Sequence, residues 1–276
     1  MTVEGVATVP TMGLRYDVAG AGPTLVLVHG VVHRRQAWDP VLDLLTPYRK
    51  VVTVDLPGHG ESDDLDVFGA QRLEQFTDRL AELIGELEAS DGPVHVAGNS
   101  LGGYLSMCLA ARGEVASATA LSPAGFWNGP AAQARSLTKF AILRTAASKL
   151  GKRAPAAFRS RFIRYPSLAP FFAHPSRVSY EAAVVDLNSL LTNTTLAGGV
   201  DEPFPLPALT SPAVPVTVAW GTRDLILPYR NRHNVLEHFP HARLISVPGV
   251  GHVPMGDNPE LIASILLSGS ELPAAV

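Results

Sequence analysis

Residues Val94–Gly103 read VHVAGNSLGG, and this stretch decides the fold. Val94–Ala97 is a short apolar run of the kind that fills the middle of a parallel sheet. Gly98-Asn99-Ser100-Leu101-Gly102 follows it. The pattern G-x-S-x-G marks a strained strand-to-helix turn with a serine at its apex. The next segment, SLGGYLSMCLAARG, reads as a helix. Glycine is needed on either side of the serine because the backbone there comes too close for a β-carbon. The turn lifts Ser100 above the sheet edge. It also aims the first N–H groups of the following helix at whatever the serine attacks. A serine here could otherwise be no more than a helix cap. Partner motifs elsewhere in the chain decide between the two.

Serine is a weak nucleophile until a base lies within hydrogen-bond reach, and that base needs a third group to fix its tautomer. His252 is the best base. It sits in Pro248-Gly249-Val250-Gly251-His252, a glycine-bracketed loop after an apolar strand. His233, His238 and His241 lie on or beside a polar helix and read as surface, His95 reads as packed in a strand, and His174 precedes a proline. Asp224 is the best acid, in Trp220-Gly221-Thr222-Arg223-Asp224-Leu225-Ile226-Leu227-Pro228. It leaves room for one helix and one strand before His252. Asp55, in Asp55-Leu56-Pro57-Gly58-His59-Gly60-Glu61-Ser62, is the rival acid.

A serine turn, a late aspartate and a C-terminal histidine in that order, with His29-Gly30 after an earlier strand, resemble the α/β-hydrolase superfamily. The resemblance runs from about Leu14 to Leu267. It implies Ser100, Asp224 and His252 as the catalytic residues, and a structural role for the Asp55 segment. It also implies an oxyanion hole made by the backbone N–H groups of Val31 and Leu101. Trp38 matches a position that packs beside the Val31 loop. His29 is expected to stabilise that loop. His33, Arg34 and Arg35 read as a solvated run, with contact to a polar substrate group as the alternative.

The rest of the chain fits an α/β protein whose mostly parallel sheet carries helices on both faces. Strands are expected at Leu14–Val18 (an edge), Thr24–Val28, Val51–Val54, Ser117–Leu121, Val216–Trp220 and Arg243–Val247. Helices are expected at Trp38–Leu45, Gln71–Glu88, Tyr229–Phe239 and Pro259–Leu267. Residues 126–204 carry helical patterns at Ala131–Leu150, Pro155–Tyr165 and Ser176–Leu191 and no convincing strand, and a proline-rich return follows. The organisation is therefore a core of residues 1–125 and 206–276 with a helical cap, or lid, over 126–205. Seven of the ten phenylalanines fall in that cap, more rings than a small helical layer can bury, so several should face a cleft. Phe126, Trp127, Phe140, Arg144 and Val253, with Trp38, are the candidate pocket residues. From Arg135 to Arg164 nine basic residues and no acidic one occur. That is either a solvated face or a surface for an acidic partner or anionic surface.

Composition narrows the class. Of 276 residues 46% are hydrophobic and 17% charged, with a net charge of −3, which argues for a packed core and against nucleic acid. The single cysteine, Cys108, excludes an intrachain disulfide. No metal-ligand spacing occurs and no cofactor is implied. With no basic, apolar leader and no transmembrane run, the expectation is a cytoplasmic protein. The activity implied is a serine hydrolase acting on a small acyl substrate, an ester by default. A carbon–carbon bond hydrolase, thioesterase, lactonase or cofactor-free perhydrolase would use the same triad, and some members of the fold only bind a small ligand.

Overall fold

The computed structural model describes residues 6–8, 13–197, 204–205 and 214–271. Eight strands form one sheet: β1 (Val6–Thr8), β2 (Arg15–Ala19), β3 (Thr24–Val28), β4 (Lys50–Asp55), β5 (Val94–Asn99), β6 (Ser117–Leu121), β7 (Val216–Gly221) and β8 (Arg243–Val247). Their spatial order is 1-2-4-3-5-6-7-8. β2 runs antiparallel to both β1 and β4, and the other pairings are parallel. Every residue of β3, β5, β6 and β7 is buried, as unbroken apolar runs covered on both faces require. β8, at the sheet edge, keeps Arg243 exposed. The strand expected at the edge near residue 14 is β2, which is not an edge because β1 pairs with it.

The core helices are α1 (Asp39–Leu45), α2 (Gly69–Asp91) and α3 (Leu101–Arg112). Leu101 to Ala111 of α3 are all buried, so it carries no polar stripe. Between β6 and β7 the chain forms α4 (Pro130–Leu150), α5 (Ala154–Ala157), α6 (Arg161–Leu168), α7 (Tyr180–Thr192) and α8 (Thr194–Ala197), with no strand among the described residues. The helix expected over Pro155–Tyr165 is two pieces, because Ser160 is extended and starts a new helix. The expected boundary at 205/206 adjoins residues 206–213, which lie outside the described residues. After β7 come α9 (Val235–His238), α10 (Pro254–Asp257) and α11 (Pro259–Gly269). α2 packs with α3 and α1 packs with α11, each pair against the sheet. No helix among the described residues is long and apolar enough to cross a membrane.

Polar side chains tie the helical insert to the core at several places, three of which bear on the site. Buried Arg72 of α2 donates to the hydroxyls of Thr194 (3.0 Å) and Thr195 (3.1 Å). The Asp257 carboxylate accepts from the N–H groups of Ala173 (2.9 Å), His174 (2.7 Å) and Gly251 (2.7 Å). Asn193, at the end of α7, donates through Nδ2 to the carbonyl of Val31.

Candidate active site

Ser100 stands between β5 and α3 with φ 57° and ψ −112°, a conformation that costs a residue with a β-carbon about 1–3 kcal/mol. Its N–H donates to Leu121 O (2.9 Å), and its carbonyl accepts from Tyr104 and Ala124 (3.0 Å each). The flanking glycines are steric necessities. A β-carbon on Gly98 would lie 2.1 Å from Gly102 O, and one on Gly102 would lie 2.1 Å from Val28 O. α3 therefore presses its first turn onto the ends of β3 and β5. The N–H of Leu101, first in the helix, has no acceptor within its own helix.

The loops after β7 and β8 bring Asp224 and His252 together. Thr222 N–H donates to Val247 O, and Arg223 N–H to Val250 O (3.0 Å each). His252 Nδ1 lies 2.8 Å from Asp224 Oδ2. The other oxygen, Oδ1, accepts from the N–H groups of Ile226 (2.9 Å) and Leu227 (2.7 Å). This carboxylate is fixed in orientation, so the histidine proton belongs on Nδ1 and the lone pair on Nε2. Nε2 is buried and has no hydrogen-bond partner among the described residues. Asn99, the neighbour of the serine, donates to His252 O (2.9 Å) and Leu121 O (3.1 Å) and so pins the histidine loop to the serine turn.

The loop after β3 is held from both sides. Leu56 N–H donates to His29 Nε2 (3.0 Å), which leaves the ring proton on Nδ1, 2.8 Å from Gly30 O. His59 Nδ1 lies 3.0 Å from Pro57 O, and Nε2 lies 2.8 Å from Asn193 Nδ2 and 3.0 Å from Val31 O. The consistent assignment has His59 Nδ1–H donating to Pro57 and Asn193 donating to both Val31 O and His59 Nε2. Burial holds both histidines uncharged by pushing their pKa values down. Asn99, Asp257 and Asn193 are absent from the sequence expectations. Asn99 lies inside the serine motif, where the pattern allows any residue. Nothing in sequence marks Asn193.

Asp55 does not reach His252. It is fully buried and accepts from the N–H groups of Arg35 (2.7 Å) and Glu61 (3.0 Å) and from Arg35 Nη1. Arg35 also meets Asp17 (2.7 Å) and Glu61 (2.5 Å). The run His33-Arg34-Arg35 is consequently not a solvated one: Arg35 closes a buried charge cluster and His33 is only 4% exposed.

Among the described residues, three spaces border these side chains. A cavity of about 30 Å³ touches Ser100 and is walled by Val31, Leu101, Trp127, Phe140 and Phe204 among others. A second, of about 100 Å³, lies within the insert. Phe140 and Phe171, with ring centroids 5.7 Å apart, stand between the two. The largest, a cleft of about 750 Å³, does not touch Ser100; its wall includes Val253 and His33. Of the expected pocket residues, Trp127 and Phe140 line the serine cavity and Val253 the neighbouring cleft. Three others do not. Trp38 is wholly buried in the core. Phe126 packs on His238 and Phe239. Arg144 donates to Leu191 O (3.1 Å) and Asn193 O (2.8 Å), because the carbonyls ending α7 satisfy a cation better than an apolar cleft does. Phe162 is 79% exposed and lines none of these three spaces. No group of three or more metal-ligating side chains occurs among the described residues.

Known proteins are similar to this chain in sequence and in fold. Over 273 residues the chain is 26% identical to the pimeloyl-[acyl-carrier protein] methyl ester esterase of Nitrosomonas europaea, covering 91% of this chain and 97% of that one. In fold it is similar to a thermophilic esterase from Thermogutta terrifontis, with a TM-score of 0.68, 23% identity, and 95% and 96% of the two chains covered. It is also similar in fold to the enol-lactonase of Burkholderia xenovorans LB400, with a TM-score of 0.66, 18% identity, and 92% and 95% covered. The profile of the alpha/beta hydrolase family matches residues 25–265. A match over most of the chain, on an eight-stranded sheet with this strand order, makes this protein a member of the alpha/beta hydrolase family.

Proposed function

We propose that this chain is a carboxylic ester hydrolase working through an acyl-enzyme on Ser100. One observation carries the reading: His252 is bound through Nδ1 to an Asp224 carboxylate that cannot rotate away, which leaves Nε2, buried and without a hydrogen-bond partner among the described residues, Ser100 included, as the free basic atom. That is a general base awaiting an O–H donor. Ser100 Oγ adds to the ester carbonyl carbon while its proton passes to His252 Nε2. The carbonyl oxygen, now an anion, takes hydrogen bonds from Val31 and Leu101 N–H. Collapse breaks the bond to the alkoxide, which leaves with the proton from Nε2. Water then attacks the acyl-enzyme with His252 again taking the proton, and Ser100 is restored. Asn193 positions Val31 in this scheme, since it grips the carbonyl of the residue whose N–H faces the anion. The helical insert acts as a cap, because Trp127, Phe140 and Thr195 wall the serine cavity.

The cavity at Ser100, about 30 Å³ and walled by Phe140, is smaller than the two spaces beside it. The acyl part of the substrate is therefore small unless Phe140 moves toward Phe171. Each buried methylene contributes about 0.8 kcal/mol until the space is full, so kcat/KM in a p-nitrophenyl ester series should peak at short chains. The deciding experiment is labelling with a fluorophosphonate together with turnover of p-nitrophenyl acetate. Both should be lost in Ser100→Ala. Labelling of that variant, or activity above about a tenth of the parent, would remove Ser100 as nucleophile.

A second reading concerns what carries the acyl group. None of the nine basic residues from Arg135 to Arg164 forms an ion pair with a carboxylate among the described residues, and Arg135, Lys149, Lys152, Arg153, Arg159 and Arg161 are exposed. The relative from Nitrosomonas europaea is named for an ester borne on acyl-carrier protein. An acidic carrier would meet this cap face favourably.

A further inference from the structure

His33 and Asp186 form a polar pair that the reaction above does not use. His33, on the loop after β3, and Asp186, on α7, border both the apolar cavity of the insert and the large cleft. His33 Nε2 and Asp186 Oδ2 are 3.7 Å apart, too far for a hydrogen bond. Neither side chain makes a hydrogen bond among the described residues. His33 is 4% exposed and the Asp186 side chain 20% exposed, so their polar atoms face these two spaces rather than protein donors.

A ligand at this pair has a definable chemistry. Burial, with His252 and His59 nearby, pushes His33 down to about 3, so it offers a neutral ring and one lone pair. Burial pushes Asp186 up to about 7, and Arg34 is the one nearby charge that opposes this. Around the cleft Asp39, Glu181 and Glu260 add negative charge, while the one arginine there, Arg177, is committed to Asp257 O. The site thus offers mainly acceptors and acidic groups, with Arg34 the one cation among the described residues acting on Asp186. A metal ion would need a third ligand, and no such group exists among the described residues. A hydroxyl brings no charge. A primary ammonium brings charge and three N–H donors, enough for the carboxylate and the imidazole lone pair together. Beside the pair, the cavity of about 100 Å³ is walled by Leu143, Leu150, Phe158, Leu168 and Leu187, which suits a hydrocarbon chain.

We propose that His33 and Asp186 bind the head of a primary alkylammonium ion whose chain lies in the apolar cavity of the insert. The site does not depend on the ester reading and is tested by binding. Calorimetric titration of the full chain with n-hexylammonium, n-hexanol and hexyltrimethylammonium compares a charged donor, a neutral donor and a charge without donors. n-Hexylammonium should bind at least about tenfold more tightly than either, a difference of 1.4 kcal/mol, and should shift the ¹⁵N resonances of His33. Asp186→Asn should weaken it at least about 30-fold, since the carboxylate that pairs with the ammonium is gone. Circular dichroism confirms that this variant is folded, and the alcohol comparison needs no variant. Equal affinity for n-hexanol, no saturable binding of n-hexylammonium, or an unaltered affinity in a folded Asp186→Asn would each overturn the proposal. Competitive inhibition of p-nitrophenyl acetate turnover assigns the ammonium to the substrate itself, and non-competitive inhibition assigns it to a separate ligand.

Discussion

Asp224→Asn and Asp55→Asn separate two buried aspartates that sequence leaves as rivals. In the first, the amide oxygen must occupy the Oδ1 place, because the N–H groups of Ile226 and Leu227 both point there and an NH₂ group would face two donors. The NH₂ then turns to His252 Nδ1, 2.8 Å away. Nδ1 must accept, the ring proton moves to Nε2, and Nε2 can no longer take the proton of Ser100. The expected loss in kcat is about 10⁴-fold, or about 5.4 kcal/mol of transition-state stabilisation, with little change in folding because shape and backbone contacts persist. In Asp55→Asn the charge facing Arg35 disappears. Breaking a buried pair costs about 3–5 kcal/mol, and the lower end is expected because Asp17 and Glu61 still hold the guanidinium. Its kcat should stay within about tenfold. Turnover of p-nitrophenyl acetate and urea unfolding, measured on both variants, give the four numbers needed. If Asp55→Asn lost activity while folding normally, or Asp224→Asn kept more than about 1% of kcat, the assignment of the acid would be wrong.

Gly102→Ala should fail to accumulate as folded protein, since its β-carbon would stand 2.1 Å from Val28 O; solubility and circular dichroism report this, and a stable, active variant would show that the turn can relax. Asn193→Leu should lower kcat by up to about 100-fold with KM little changed, because shifting an oxyanion donor affects mainly the transition state, whereas a KM effect alone would make Asn193 a packing residue. Asp186 titrates at about 7 in the fold against about 3.9 unfolded; the fold therefore binds the extra proton between those values, and the stability this gives is lost as pH rises through about 7. Asp186→Asn should raise Tm near pH 8 by a few degrees and leave it nearly unchanged near about pH 4. His29, His33 and His59 act in the opposite sense: the unfolded chain takes up protons near about 6.5 that the fold refuses, so parent stability falls as pH drops below that value. Reversing Arg135, Lys149 and Arg153 to Glu should slow turnover of an acidic carrier-bound ester most at low salt, and unchanged rates would return these residues to a solvated face.

The sheet was legible because its chemistry is local. Runs such as Thr24–Val28 and Val216–Gly221 are apolar throughout, and only a strand covered on both faces accommodates them. The serine turn was legible for a steric reason: two glycines are fixed by carbonyl contacts of 2.1 Å, so the pattern survives as residue types at fixed spacing. β1 was not legible, since three residues carry no period. The break at Ser160 was hidden as well, because serine is compatible with both a helix interior and a helix start.

The polar contacts of the insert were illegible for a different reason. Asn193 meets Val31 across 162 residues, Arg72 meets Thr195 across 123, and Asp257 meets Ala173 across 84. No spacing rule links such pairs. The run His33-Arg34-Arg35 shows how this misleads. Charged residues in a loop are mostly exposed, and the sequence offers no reason to think otherwise. Burial of Arg35 becomes favourable only once β2, β4 and the loop after β4 deliver Asp17, Asp55 and Glu61 to it. With Arg35 anchored there, the backbone two residues earlier is carried inward and His33 goes with it. His33 therefore ends 4% exposed with its ring edge-on to Phe171, and the polar pair with Asp186 follows from the placement of a neighbouring arginine rather than from any signal carried by His33.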